Sequence, residues 1–105
     1  MPRKIRIATS CAAGVAESWM MKERLENALR ERGVEDVEVV PYKVADLKFA
    51  PVDIIVCPPT VELENVDKPI INGMPLIVGL NIEETVEQVI KAIEELRKKY
   101  EERNK

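Results

Sequence analysis

Four short apolar runs, separated by longer polar or amphipathic stretches, predict four β-strands in this chain of 105 residues. They cover residues 3–9, 35–42, 53–57 and 69–71. The second run alternates apolar and polar residues and contains Pro41, which cannot donate a ladder hydrogen bond. It is therefore predicted to be a half-buried edge strand. The third run is almost continuously apolar and ends at Pro58, which is typical of a buried central strand.

Two longer segments repeat their apolar residues with the period of an α-helix. The first helix is predicted over residues 15–32, because Gly33 occupies the position where glycine commonly follows a helix. Its inward positions are Ser18, Met21, Leu25, Ala28 and Leu29. The last helix is predicted to begin near Asn81, and the charged residues after Leu96 are expected to form a frayed, solvated end. The core positions of this helix are Ile82, Val86, Val89, Ile90, Ile93 and Leu96.

The shorter segments have weaker patterns. A helical turn is predicted over residues 44–49, and a short helix over residues 60–65. Residues 72–75, Asn-Gly-Met-Pro, are predicted to turn the chain. Residues 76–78 are interpreted as extended, either continuing the last strand or forming a packing segment.

This alternation of strands and helices predicts one α/β domain over residues 1–105, with an open, mostly parallel four-stranded sheet and helices on both faces. With residues 35–42 at an edge, the strand order is 2-1-3-4. The carboxyl end of the first strand then lies at the topological switch point, where open α/β sheets bind ligands. Cys11 follows that strand directly.

The turn after the first strand carries the candidate chemistry. Cys11 is followed by small residues and then by the first helix, so backbone N–H groups and the positive end of the helix dipole are expected to converge beside the sulfur. A thiol in such a position is expected to have a lowered pKa and to hold an anion or a phosphoryl group. Cys57 is interpreted as a buried core thiol. It could approach Cys11 across adjacent strands, although an oxidation-dependent bridge is poorly favoured.

Composition excludes several classes of function. The net charge of −3 and the small number of aromatic residues (one Trp, two Tyr, one Phe) argue against nucleic-acid binding. Histidine is absent, which excludes Cys-His and Ser-His catalysis and imidazole metal ligands. No metal-ligand cluster or cofactor motif is present. No apolar run approaches the roughly 20 residues that span a membrane, no signal peptide is evident and two cysteines make no disulfide framework. A cytoplasmic location is therefore expected.

Several segments, in this order, resemble the enzyme IIB subunits of the bacterial sugar phosphotransferase system, specifically the galactitol type. They are the first strand with its Cys11 turn, Val-Ala-x-Ser-x-Met at residues 15–20, Ile-Ile-Val-Cys at residues 54–57, and Pro-Ile-Ile-Asn-Gly-Met-Pro-Leu-Ile-Val-Gly at residues 69–79. With the last helix, the resemblance extends to about Leu96.

This resemblance implies a mechanism. Cys11 would attack a phosphohistidine of the IIA partner, hold the phosphoryl group as phosphocysteine, and pass it to a galactitol-like polyol at the membrane subunit IIC. The phosphate would be bound by the backbone of the following turn and by one hydroxyl group. These residues are Ala12, Ala13, Gly14, Val15, Ala16 and Ser18. Such a transfer works by positioning and charge stabilisation and requires no general base.

Three residues depart from the family pattern Cys-Gly-x-Gly-Val-Ala-Thr-Ser-Thr, namely Ala12, Glu17 and Trp19. A carboxylate at Glu17 would oppose a nearby phosphate by about 1–4 kcal/mol and disfavour the thiolate. It would also stabilise the first helical turn by about 0.3–1 kcal/mol. Stability gained at the expense of function indicates a second hypothesis, a redesigned and catalytically silent protein on this scaffold. Glu17 also stands where the loop of low-molecular-weight phosphatases has arginine, which argues against a phosphatase.

Trp19 lies off the inward stripe of the first helix, about 100° from Ser18. An exposed tryptophan here is a candidate anchor for a partner or for a homo-oligomer. The alternative is a ring that lies over the loop and is partly buried.

Overall fold

The computed structural model describes residues 4–12, 15–61, 63 and 66–103. The strands are β1 (Ile5–Thr9), β2 (Val37–Pro41), β3 (Ile54–Cys57) and β4 (Ile70–Asn72). The α-helices are α1 (Val15–Glu31), α2 (Met74–Val78) and α3 (Ile82–Arg103). A 3₁₀ helix spans Val44–Phe49, where a helical turn was predicted.

The strands form one sheet in the order β2-β1-β3-β4, as predicted. Each of the three pairings is parallel, so the described sheet is entirely rather than mostly parallel. β2 lies at an edge, in agreement with the position of Pro41. β1 and β3 are central, and every residue of β3 is buried.

The two faces of the sheet are covered by different elements. Ile7, Ile54 and Val56 pack in one apolar cluster with side chains of α1, α2 and α3. Ala8 and Ile55 point to the other face, where they cluster with Leu47 of the 3₁₀ helix. Right-handed crossovers require this arrangement, because the chain moves from β1 to β2 in one direction and from β2 to β3 in the other.

α1 buries the stripe that its periodicity predicts. Met21 and Leu25 have no exposed surface, and Leu29 and Ser18 are almost as deeply buried. The helix ends in a Schellman motif, in which Gly33 N–H donates to Arg30 O at 3.0 Å and Val34 N–H donates to Leu29 O at 2.9 Å. Gly33 has φ +73°, which explains why glycine stands there.

Residues 76–78 are helical, so their interpretation as extended was wrong. The Asn72 side chain accepts a hydrogen bond from Met74 N–H at 2.9 Å and starts α2, and Gly79, with φ +79°, ends it. Arg24 of α1 donates to the carbonyls of Leu76 and Ile77 at 2.6 and 3.1 Å. These caps offset the β-propensity of the Leu-Ile-Val run.

Two other expectations were also wrong. Thr60, Val61 and Leu63 are not helical, and Glu62, Glu64 and Asn65 lie outside the described residues. The apolar side chains of Val61 and Leu63 instead pack against the cluster of the 3₁₀ helix. The chain after Leu96 was expected to fray, but α3 continues to Arg103.

Candidate functional site

Cys11 lies at the carboxyl end of β1, between that strand and the first turn of α1. Both neighbouring strands hold this end of β1 in place. Ser10 N–H donates to Val56 O of β3 at 3.1 Å, and Tyr42 N–H, just after β2, donates to Thr9 O at 2.9 Å. Because the connections from β1 and β3 leave on opposite faces of the sheet, Cys11 occupies the topological switch point, as predicted.

Two hydroxyl groups just before Cys11 fix the turn, and sequence reasoning missed both. The buried Thr9 hydroxyl donates to Ser18 O of α1 at 2.9 Å. The Ser10 hydroxyl donates to Tyr42 O at 2.8 Å. The only signal in the sequence was a Thr-Ser pair directly before the cysteine. The first bond ties α1 to the end of β1, and the second ties the residue before Cys11 to the chain after β2, so together they pre-organise the site.

The Cys11 thiol is mostly buried and bound to a carboxylate. Its side chain is 8% exposed and packs in the cluster under α1. Sγ donates a hydrogen bond to Oε2 of Glu17 at 2.9 Å. Glu17 lies in the first turn of α1, so the thiol is next to the amino end of that helix. The helix dipole favours a thiolate there, whereas the hydrogen bond to the carboxylate favours the neutral thiol.

The structure describes four of the six predicted phosphate-binding residues. Ala12 is exposed in the turn after Cys11, and Val15 and Ala16 begin α1. Ala13 and Gly14 lie outside the described residues. Ser18 is buried in the second turn of α1, where its carbonyl accepts the Thr9 hydroxyl. The assignment of these residues to a phosphate remains a prediction.

Cys57, the last residue of β3, is a buried core thiol, as interpreted from the sequence. Burial raises the pKa of the Cys57 thiol, and the neighbouring Cys11 raises it further. Cys57 packs on the face covered by the 3₁₀ helix, whereas Cys11 packs on the face covered by α1. The two side chains pack in different apolar clusters, which does not favour the oxidation-dependent bridge.

One comparison with known proteins decides the family. The chain matches the family model described as "PTS system, Lactose/Cellobiose specific IIB subunit" over residues 6–88. The chain belongs to this family of phosphotransferase-system IIB subunits. No curated protein matches it.

Membership of this family gives the domain its general role. A IIB subunit carries a phosphoryl group within a sugar phosphotransferase system and works with IIA and IIC partners. The match supports the IIB resemblance but not its galactitol type. Within the described part of the chain, no helix is long and apolar enough to span the bilayer. The same residues contain no group of acidic, cysteine or histidine side chains that could hold a metal.

Beside the switch point of this IIB domain, a groove of about 570 Å³ runs between α1 and the end of β2. Trp19 and Lys22 line one wall, and Pro41 and Tyr42 line the other. The Trp19 side chain is 49% exposed, and Lys22 Nζ lies 5.0 Å from the centre of its ring. Trp19 is therefore partly exposed on the side of α1 that lines this groove.

Proposed function

We propose that Cys11 carries the phosphoryl group in this IIB subunit. The position of the sulfur supports this role, because the thiol lies next to the first turn of a 17-residue helix at the switch point of the sheet. Backbone N–H groups at the start of α1 can stabilise the charge of a thiophosphate there. Cys57 has no such surroundings, since it is buried on the opposite face.

The reaction that we propose consists of two successive phosphoryl transfers, one onto Cys11 and one from Cys11 to the sugar. The Cys11 sulfur attacks the phosphorus of a IIA phosphohistidine, so a P–N bond breaks as a P–S bond forms. A sugar hydroxyl at IIC later attacks the same phosphorus and releases the thiol. The rigid ties of β1 to β2 and β3 hold the sulfur in place for this in-line exchange.

Two sugar classes are supported by different observations. The residues at 69–79 resemble the galactitol type and support a polyol acceptor. The family match carries the lactose/cellobiose description and supports a β-disaccharide acceptor. The cognate IIA partner distinguishes the two classes, because each type of system has its own donor subunit.

To test this function, the protein is mixed with phosphorylated IIA of either type and its intact mass is followed. We expect the mass to rise by one phosphoryl group with one IIA and much more slowly with the other. Phosphorylation that is faster from the galactitol-type IIA supports the polyol, and the reverse supports the disaccharide. No added phosphoryl group with either partner would refute the proposed function.

The exposure of Trp19 supports a second candidate, a silent scaffold that associates with a second copy of itself through α1. In that case the Trp19→Thr variant should scatter light as a monomer, with about half the mass of the parent, since a buried tryptophan commonly dominates an interface. Phe49→Thr is the matched control, because Phe49 is also an exposed aromatic but lies on the 3₁₀ helix. If the parent and both variants are monomeric, self-association through Trp19 is ruled out.

A further inference from the structure

We propose that Glu17 is a catalytic residue that takes the Cys11 proton when the phosphoryl group arrives and keeps it while the group is bound. The protonated carboxyl then donates a hydrogen bond to the thiophosphate. This inference rests on the proposed function of Cys11. From the sequence, Glu17 was interpreted as an obstacle to phosphate binding, and no proton acceptor was assigned. The proposal instead makes Glu17 a part of the transfer.

The geometry that carries the proposal is the contact between sulfur and carboxylate. Cys11 Sγ donates to Glu17 Oε2 at 2.9 Å, so the thiol proton already points at the oxygen that would accept it. Glu17 is only partly exposed and lies in the first turn of α1. In the described part of the chain, no lysine or arginine forms an ion pair with Glu17. The thiol is therefore the hydrogen-bonding partner that the structure gives this carboxylate.

Adding a phosphoryl group to the sulfur reverses the electrostatics of the pair. An ionised Glu17 would then lie beside a dianion with no donor between them. Two negative charges in contact repel each other, so the carboxyl gains stability by taking up the proton that the thiol gives up. Protonation also converts an acceptor that repels the phosphate into a donor that binds it.

The step is balanced in atoms and charge. The Cys11 sulfur forms the P–S bond, the P–N bond of the donor histidine breaks, and the thiol proton moves to Glu17 Oε2. The donor imidazole keeps the proton on its other ring nitrogen and leaves neutral. In the return step a sugar hydroxyl oxygen forms a P–O bond as the P–S bond breaks, Glu17 gives its proton back to the Cys11 sulfur, and the hydroxyl proton is released to water.

Glu17 of α1 contacts the Cys11 thiol directly. Cys57, the last residue of β3, packs in the other apolar cluster but is near enough to interact with Cys11 electrostatically. Cys57 stays protonated at neutral pH, because burial raises its pKa. It therefore does not compete for the transferred proton, and the proton balance of phosphorylation depends on Glu17.

The test measures the phosphoryl equilibrium between IIA and this protein between pH 6.5 and 7.5. In the parent protein the thiol proton stays on Glu17, so phosphorylation releases no proton. In Glu17→Gln, which has the same shape but cannot take a proton, phosphorylation releases one. We expect the equilibrium constant of Glu17→Gln, divided by that of the parent, to rise about tenfold per pH unit, since one proton separates the two reactions. Titration of IIA itself cancels in this ratio.

Glu23→Gln is the matched control, because Glu23 is an exposed carboxylate of the same helix. The phosphorylation equilibrium constant of this variant should equal that of the parent protein at every pH. A second readout is the Glu17 carboxyl ¹³C signal, which should report an ionised group at pH 7 before phosphorylation and a protonated group after it. Parallel pH dependences, or an ionised Glu17 in the phosphoprotein, would overturn the inference and leave the carrier function intact. Absence of phosphate from Cys11 would instead refute the proposed function.

Discussion

Replacing Cys11 by alanine is expected to abolish phosphoryl transfer from IIA, whereas replacing Cys57 by alanine is expected to leave it intact. Cys11 adjoins the first turn of α1 at the switch point, and Cys57 is buried beneath the 3₁₀ helix. The measurement is the intact mass after incubation with phosphorylated IIA.

Both cysteine variants need a check of folding, since both side chains are mostly buried. Thermal unfolding followed by circular dichroism serves this purpose, and each variant should unfold cooperatively. The Cys57→Ala change removes a sulfur from the core and is expected to cost about 1–2 kcal/mol of unfolding free energy. A folded Cys11→Ala that still gained one phosphoryl group would show that another residue is the carrier.

The second large effect is expected in the reaction of Cys11 with iodoacetamide. The Glu17→Gln variant should react at least about tenfold faster than the parent at pH 7. A hydrogen bond to a charged group contributes about 1.5–3 kcal/mol, and here it stabilises the neutral thiol. One factor of ten in thiolate corresponds to about 1.4 kcal/mol. Removing the carboxylate leaves the helix dipole to favour the thiolate.

Glu23→Gln should react at the parent rate, and Cys57 should remain unmodified in all three folded proteins because its pKa is raised. The dependence of the reaction rate on pH then distinguishes a change in the ionisation of the Cys11 thiol from a change in its accessibility to iodoacetamide. Equal profiles for the parent and Glu17→Gln would mean that the bond between sulfur and carboxylate does not control the thiol in solution.

The larger elements were predictable because each depends on a periodicity that extends over many residues. The stripe of α1 and that of α3 both pack into the core, and Pro41 placed β2 at an edge. With β2 at an edge, the order 2-1-3-4 was a plausible arrangement that the structure confirms, and it places Cys11 at the switch point. The α/β fold was therefore predictable from local pattern and from the position of one strand.

The short elements could not be predicted, because contacts distant in the sequence decide them. α2 forms from a Leu-Ile-Val run since Arg24, on α1, binds its last carbonyls. The predicted helix over residues 60–65 gave way to packing of Val61 and Leu63 against the far face of the sheet. Local propensity was the weaker effect in both places.

The residues of the candidate site were more predictable than the hydrogen bonds that those residues form. Glu17 lies in the first helical turn that follows the Cys11 turn, so the opposition of the two groups could be foreseen from the sequence. Whether the two groups meet depends on the rotamers of both side chains, and the sulfur donates because a carboxylate can only accept. The ties from Thr9 and Ser10 depend on where α1 and the end of β2 come to lie, which no local pattern contains.

The most direct test of this account is the site of phosphorylation. The protein is phosphorylated by IIA, digested under conditions that preserve the P–S bond, and mapped by tandem mass spectrometry. The account predicts one phosphoryl group, on the sulfur of Cys11, in the peptide that joins β1 to α1. A phosphoryl group on any other residue, or none on a folded protein with an active donor, would contradict it.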